Sequence, residues 1–250
     1  METVKLNNGV EMPIIGYGVF QVSPEEAARC VEEAIGVGYR SIDTAQAYYN
    51  EEGVGKGIKN SDVSRGDLFL TTKVWITNAG EEKALTSIDE SLRKLQTDYI
   101  DLLLIHQHYN DYYGTYRAME KALKQGKVRA IGLSNFEEGR FTDLAAYNEI
   151  TPAVLQLQTN VFNQQTEMQE FLKPYGTQLM AWSPLTQGRK ETSLPIRCSP
   201  RLVRSIIRVW HRWPCVGSSS VVSWPFRSQP IRSVWHRILT CSTFTSPMMT

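Results

Sequence analysis

Asp43, Tyr48, Lys73 and His106 are the residues whose types and order in this sequence could do chemistry together. A free tyrosine has a pKa of about 10 and is a poor proton donor at neutral pH. A neighbouring ammonium lowers that value, and a carboxylate can keep the ammonium charged and oriented. Lys73 and Asp43 would play those parts for Tyr48. His106 could donate a hydrogen bond to an oxygen on which charge develops. Such a set protonates a carbonyl oxygen while another agent attacks the carbon. No side chain here is a hydride source, so the chemistry calls for a cofactor.

The elements that must position these residues are legible from the alternation of apolar runs and helical periods. Strands are predicted at 39–45, 68–74, 100–107, 128–135, 154–160 and 178–184, with helix-like segments such as EEKALTSIDESLRKLQ between them. VKLNNGVEMPIIGYGVF, at the start, reads as a β-hairpin turning at Asn7-Asn8-Gly9. Strands alternating with helices over short loops imply parallel strands covered by helices. Six such units fit a (β/α)8 TIM barrel that has two units still to come. In such a barrel the strands deliver their C-terminal ends to one rim. Here each strand turns polar at that end: Asp43, Lys73, His106, Ser134-Asn135, Gln156 and Trp182-Ser183.

GYRSIDTAQAYYNEEGVG, LFLTTKVW, DLLLIHQ, KVRAIGLSNF and AWSPL stand in the order and spacing of the aldo-keto reductases, and residues 1–188 resemble the bacterial branch of that family. The resemblance implies NADPH-dependent reduction of aldehydes or ketones to alcohols. It implies that Tyr48 is the proton donor, Lys73 and Asp43 its supporting pair, and His106 the substrate-orienting histidine. Ser134, Asn135 and Gln156 match residues that hold the nicotinamide carboxamide, and Trp182 the aromatic that stacks on the ring. Ser183 and Leu185 match the start of a loop approaching the pyrophosphate. Val19, Phe20, Tyr49 and Trp75 match positions lining the pocket for a small carbonyl substrate.

Two other motifs are read as bland. Gly53-Val54-Gly55-Lys56-Gly57 follows Asn50-Glu51-Glu52 rather than a buried strand, and is expected to let a helix pack closely rather than bind phosphate. His108, two residues beyond His106, lacks the Cys or carboxylate companions of a metal site, and none is expected.

Beyond about residue 188 the text changes. Residues 1–191 carry 19 basic against all 26 acidic residues; the last 59 carry eight arginines, no lysine and no acid, so about −7 is followed by +8. The tail holds four of six tryptophans and six of eleven prolines, and shows no helical or strand period. The resemblance implies a Lys-Ser and then an Arg clamping the 2′-phosphate of NADPH, yet the last lysine is Lys190. A frameshift near residues 188–195 is therefore expected, leaving a barrel domain over 1–188 and an irregular basic stretch over 189–250. The alternative to the reductase is a catalytically inactive incomplete barrel, a frameshifted product or a non-enzymatic binding subunit.

The scattered arginines do not make a nucleic-acid or membrane surface, and neither partner is expected. METVKLNNGVEMP lacks the apolar run of a secretory signal, and the four cysteines form no disulfide framework, so a cytoplasmic monomer is expected.

Overall fold

A computed structural model describes residues 2–160 and 163–184. The chain opens with an antiparallel hairpin of β1 (Thr3–Lys5) and β2 (Glu11–Pro13), Val4 pairing with Met12. Seven parallel strands follow in sequence order: β3 (Tyr17–Gly18), β4 (Ser41–Asp43), β5 (Phe69–Val74), β6 (Ile100–Ile105), β7 (Val128–Ser134), β8 (Val154–Gln158) and β9 (Gln178–Trp182). The helices between them are α1 (Pro24–Gly36), α2 (Glu51–Asn60), α3 (Glu81–Leu95), α4 (Tyr112–Lys124), α5 (Glu138–Tyr147) and α6 (Thr166–Leu172). All six predicted strands are present. The seventh, β3, lies inside the stretch that the sequence presents as a hairpin, and its two residues are too few to show a strand period. The described sheet therefore has edges at β3 and β9.

The sheet is curled into an incomplete barrel. Gln156 on β8 donates to Asp43 on β4 at 2.9 Å, although β5, β6 and β7 lie between those strands in the sheet. Only a sheet bent back on itself brings such side chains together. Side chains alternate accordingly. Phe69, Leu102, Leu104, Ala130, Val154 and Met180 pack inside the curl, while Leu70, Leu103, Ile131, Leu155 and Leu179 pack outward under the helices. Both faces being covered explains why the strands read as near-continuous apolar runs.

The hairpin stoppers one end. Val4, Leu6 and Met12 join the inner cluster at the end where the strands begin. Asn8 Nδ2 donates to the Arg129 carbonyl at 2.9 Å and Asn7 Nδ2 to that of Pro152 at 3.2 Å. Asp101 fastens the same end: its carboxylate accepts from Arg65, Arg129 and the Leu70 amide. The opposite rim, where the strands finish, stays clear of the hairpin.

The glycines of α2 serve contact. A Cβ on Gly53 would stand 2.7 Å from the Ala27 Cβ of α1, one on Gly55 2.7 Å from the Leu95 backbone of α3, and one on Gly57 2.5 Å from the Ala28 carbonyl oxygen. Two neighbouring helices, α1 and α3, thus approach α2 as closely as backbone allows. Close packing, not phosphate binding, accounts for this motif.

Candidate active site

The inward-facing end residues of β4 and β5 meet first. Lys73 Nζ donates to Asp43 Oδ1 at 2.5 Å and to the Thr44 carbonyl at 2.8 Å, and both side chains are essentially sealed from solvent. The second Asp43 oxygen takes the hydrogen bond from Gln156. Burial opposes the charge on Lys73. The Asp43 carboxylate, followed by Tyr48, outweighs it and leaves the lysine pKa above its ordinary value.

Tyr48 closes a short 3-10 turn, Gln46–Tyr48, directly after β4. The Lys73 ammonium lies 5.2 Å from the centre of its ring. Burial raises the phenol pKa most, Lys73 pulls it down and Asp43 pushes it up; the net shift is upward. His106, one residue past β6, packs edge-on against Tyr48 at 5.6 Å and against Trp75 at 5.0 Å between ring centres. Burial, with the Lys73 charge second, holds its pKa down to about 3, so its ring is neutral at physiological pH. Its Nδ1 is buried without a hydrogen-bond partner. Phe20 lies 5.0 Å from Tyr48 on another side.

A second group continues the rim over β7, β8 and β9. Asn135 adopts a left-handed backbone, φ 62°, and shares its side chain around it. Its Nδ2 donates to the His106 carbonyl and to Ser134 Oγ, each at 3.1 Å, while its Oδ1 accepts from Trp182 Nε1 at 2.9 Å. The Asn135 carbonyl also contacts His108 Nδ1 at 2.6 Å, which gives His108 a structural place. Ser183 is buried, with φ 54° and an unpartnered Oγ. Among the described residues no group of three His, Cys, Asp or Glu could hold a metal ion.

The structure thus brings Asp43, Tyr48, Lys73 and His106 into one cluster, with Phe20 and Trp75 against it and Ser134, Asn135, Gln156, Trp182 and Ser183 beside it. Tyr49 stands apart from that cluster, while Val19 touches it through its backbone, its amide donating to the Asp43 carbonyl at 3.0 Å. Val19 is fully buried in the core under the helices. Tyr49 is 80% exposed, because its own left-handed backbone at the end of the 3-10 turn faces its side chain away from Tyr48. Leu185 lies outside the described residues, as does the stretch 189–250.

Two residues that the sequence reading passed over hold the Tyr48 turn. Asn50 precedes two glutamates at the start of α2 and looks like a helix cap, yet its side chain caps nothing. It accepts from Thr44 Oγ1 at 2.8 Å and donates to the carbonyls of Val19 at 2.9 Å and Val22 at 3.1 Å, pinning both ends of the loop. Gln46, inside the turn, ties it to the next strand and helix. Only the polarity of DTAQAYYN hints at either.

A parallel barrel with a buried Lys–Asp pair beside a tyrosine and a neutral histidine at its C-terminal rim defines an oxidoreductase-type site that works on a small polarised group. The sequence profile of the Aldo/keto reductase family matches residues 14–193, and the chain belongs to that family. It is an enzyme of the aldo-keto reductase type. Enzymes of this kind reduce small carbonyl compounds with a nicotinamide cofactor. The glyoxal reductase of Bacillus subtilis (strain 168) is 47% identical over 215 residues, covering 85% of this chain and 78% of that one. Methylglyoxal reductase DkgA of Escherichia coli (strain K12) is 40% identical over 190 residues, covering 75% and 68%. Among solved structures, the aldo/keto reductase of Brucella melitensis superposes with a TM-score of 0.75 at 42% identity, covering 84% and 78% of the two chains. A Bombyx mori aldo-keto reductase solved in complex with NADP gives 0.73 at 33% identity, covering 84% and 76%. No helix among the described residues is long and apolar enough to cross a membrane.

Proposed function

We propose that this chain reduces small aldehydes and ketones with NADPH, Tyr48 giving the proton to the carbonyl oxygen. The observation that carries the reading is the sealed Lys73–Asp43 pair held against Tyr48. When bound, the nicotinamide supplies the hydride that no side chain here can. A phenol whose pKa is raised is protonated at neutral pH, ready to donate. Once the proton has left, the tyrosinate faces the permanent charge of Lys73, which Asp43 keeps in place. The carbonyl carbon gains hydride, its oxygen gains the Tyr48 proton, and Tyr48 is reprotonated from solvent. His106 stays neutral. An unpartnered buried nitrogen is tolerated better as an acceptor than as a donor, which leaves its proton on Nε2 to donate to the substrate oxygen.

Ser134, Asn135, Gln156, Trp182 and Ser183 would hold the nicotinamide end. The unpartnered Ser183 hydroxyl beside the half-buried Trp182 fits a polar ligand laid across that end of the rim. Phe20 and Trp75 would line the pocket. Glyoxal and methylglyoxal, named for two relatives, are the first substrates to try. We propose further that residues 1–188 form the reductase domain and that the reading frame departs from it near residues 188–195; the family match ends at residue 193, whereas the glyoxal reductase match covers 85% of the chain and so extends beyond it. Coding DNA that yields no further barrel unit when shifted by one base would refute the frame change.

The test of the reaction is turnover of methylglyoxal followed by loss of reduced-nicotinamide absorbance. Tyr48→Phe is expected to abolish turnover while NADPH still quenches tryptophan fluorescence. Reduction retained by Tyr48→Phe would exclude the proposed proton donor.

A further inference from the structure

The Tyr48 turn and the Trp75 segment are joined through one side chain, that of Gln46. β5 ends at Val74, so the Trp75 amide lies beyond the ladder. It donates instead to Gln46 Oε1 at 2.9 Å. The same oxygen accepts from Asn78 Nδ2 at 2.9 Å. On its other side Gln46 Nε2 donates to the Ser87 carbonyl at 3.3 Å and to Ser91 Oγ at 3.1 Å, both on α3. All four bonds come from a half-buried amide that sits two residues before Tyr48.

From this geometry we infer that Gln46 is a positioning residue that fixes Trp75 against His106 and so sets how large a substrate the site admits. The inference rests on the carbonyl-reductase reading for its kinetic part. The Trp75 ring lies 5.0 Å from the His106 ring, on the same histidine that Tyr48 meets at 5.6 Å. Trp75 therefore forms one wall beside the reacting position. Tyr48 has other anchors: its own amide bonds to the Ala45 carbonyl, Asn50 clamps the loop, and Lys73 grips the Thr44 carbonyl. Loss of Gln46 should thus free the tryptophan wall more than the tyrosine.

The experiment uses the full chain and Gln46→Met, which keeps the side chain's length without its hydrogen bonds, with Gln46→Ala as a second variant. Hydrogen–deuterium exchange is expected to quicken about tenfold at the Trp75 amide, the change that follows loss of one neutral hydrogen bond, while residues 69–74 keep their protection. The preference for methylglyoxal over a bulky aryl aldehyde is expected to fall by about threefold or more. Unchanged exchange at Trp75 would overturn the clamp. Loss of kcat and rise of KM in parallel for both substrates, tracking a fall in Tm, would reduce Gln46 to a structural residue and overturn the selectivity. A wild-type chain that reduces neither aldehyde would refute the reductase reading, and the exchange result would still decide the clamp.

Discussion

Replacing Lys73 by methionine tests the site at its most costly point. The substitution removes a sealed ammonium and leaves the Asp43 carboxylate, equally sealed, with Gln156 as its remaining donor. Breaking a buried ion pair from one side costs about 3–5 kcal/mol, because the surviving charge stays buried and uncompensated. Against a typical domain stability of about 5–15 kcal/mol, that is about a third of the total. Adding Asp43→Asn should restore most of it: the neutral amide still accepts from Gln156, and no charge is stranded. The double variant is expected within about 1–2 kcal/mol of wild type, a coupling energy well outside the additive range. Urea unfolding, extrapolated linearly, measures each value. Turnover should behave differently. Both variants lack the cation that pulls the Tyr48 pKa down, so both should lose about 10²–10⁴-fold, the usual worth of a positioned acid. A Lys73→Met protein as stable as the double variant would refute the reading that Lys73 compensates a sealed carboxylate at Asp43.

Three further outcomes follow from the same geometry. His106 titrates at about 3 folded against 6.5 for a free ring, so between those values the unfolded chain binds a proton that the folded chain refuses. Stability should therefore fall as pH drops through that window, by at most about 1.4 kcal/mol per pH unit, and His106→Asn should remove this component from a series of urea melts. Gly55→Ala should destabilise, although alanine gains about 1 kcal/mol in helix propensity. The added Cβ meets backbone atoms of Leu95 at 2.7 Å that cannot step aside, so a lowered Tm is expected and a raised one would sink the close-packing account. With Tyr48 pushed up by burial, the alkaline fall in turnover should lie above pH of about 10; a fall centred near neutrality would assign the proton to another group.

What the sequence disclosed and withheld follows from length and direction. Strands of five to seven residues, such as β5 to β9, carry enough apolar positions to be seen, whereas β3 shows only Tyr17-Gly18 and is defined by its pairing with β4. The four catalytic candidates were legible because each closes a strand or follows it in the turn. Tyr48 and Tyr49 are adjacent in sequence, and nothing in their types separates them. The left-handed backbone of Tyr49 does, leaving Tyr48 half-buried and Tyr49 exposed. Gln46 and Asn50 were invisible for a related reason: four of their seven partners are backbone carbonyls and amides, which every sequence contains, and the other three are ordinary Thr, Asn and Ser side chains. The roles given to Asn135 and Gln156 concern a ligand, while the bonds they make join rim residues to one another.

The stopper at the closed end has a consequence for how the molecule is made. Asn7 finds its acceptor 145 residues downstream, and Asn8 finds its own 121 downstream. At a synthesis rate of about 5–20 residues per second, the hairpin waits about 7–30 s for those carbonyls to emerge. Until then Val4, Leu6 and Met12 have no inner cluster to enter, and their apolar surface must be tolerated by a nascent chain that cannot yet cover it. The hairpin residues thus leave the ribosome well before the strands they seal and are among the last to reach their places, and the sealing of that end reports that β7 and β8 have arrived.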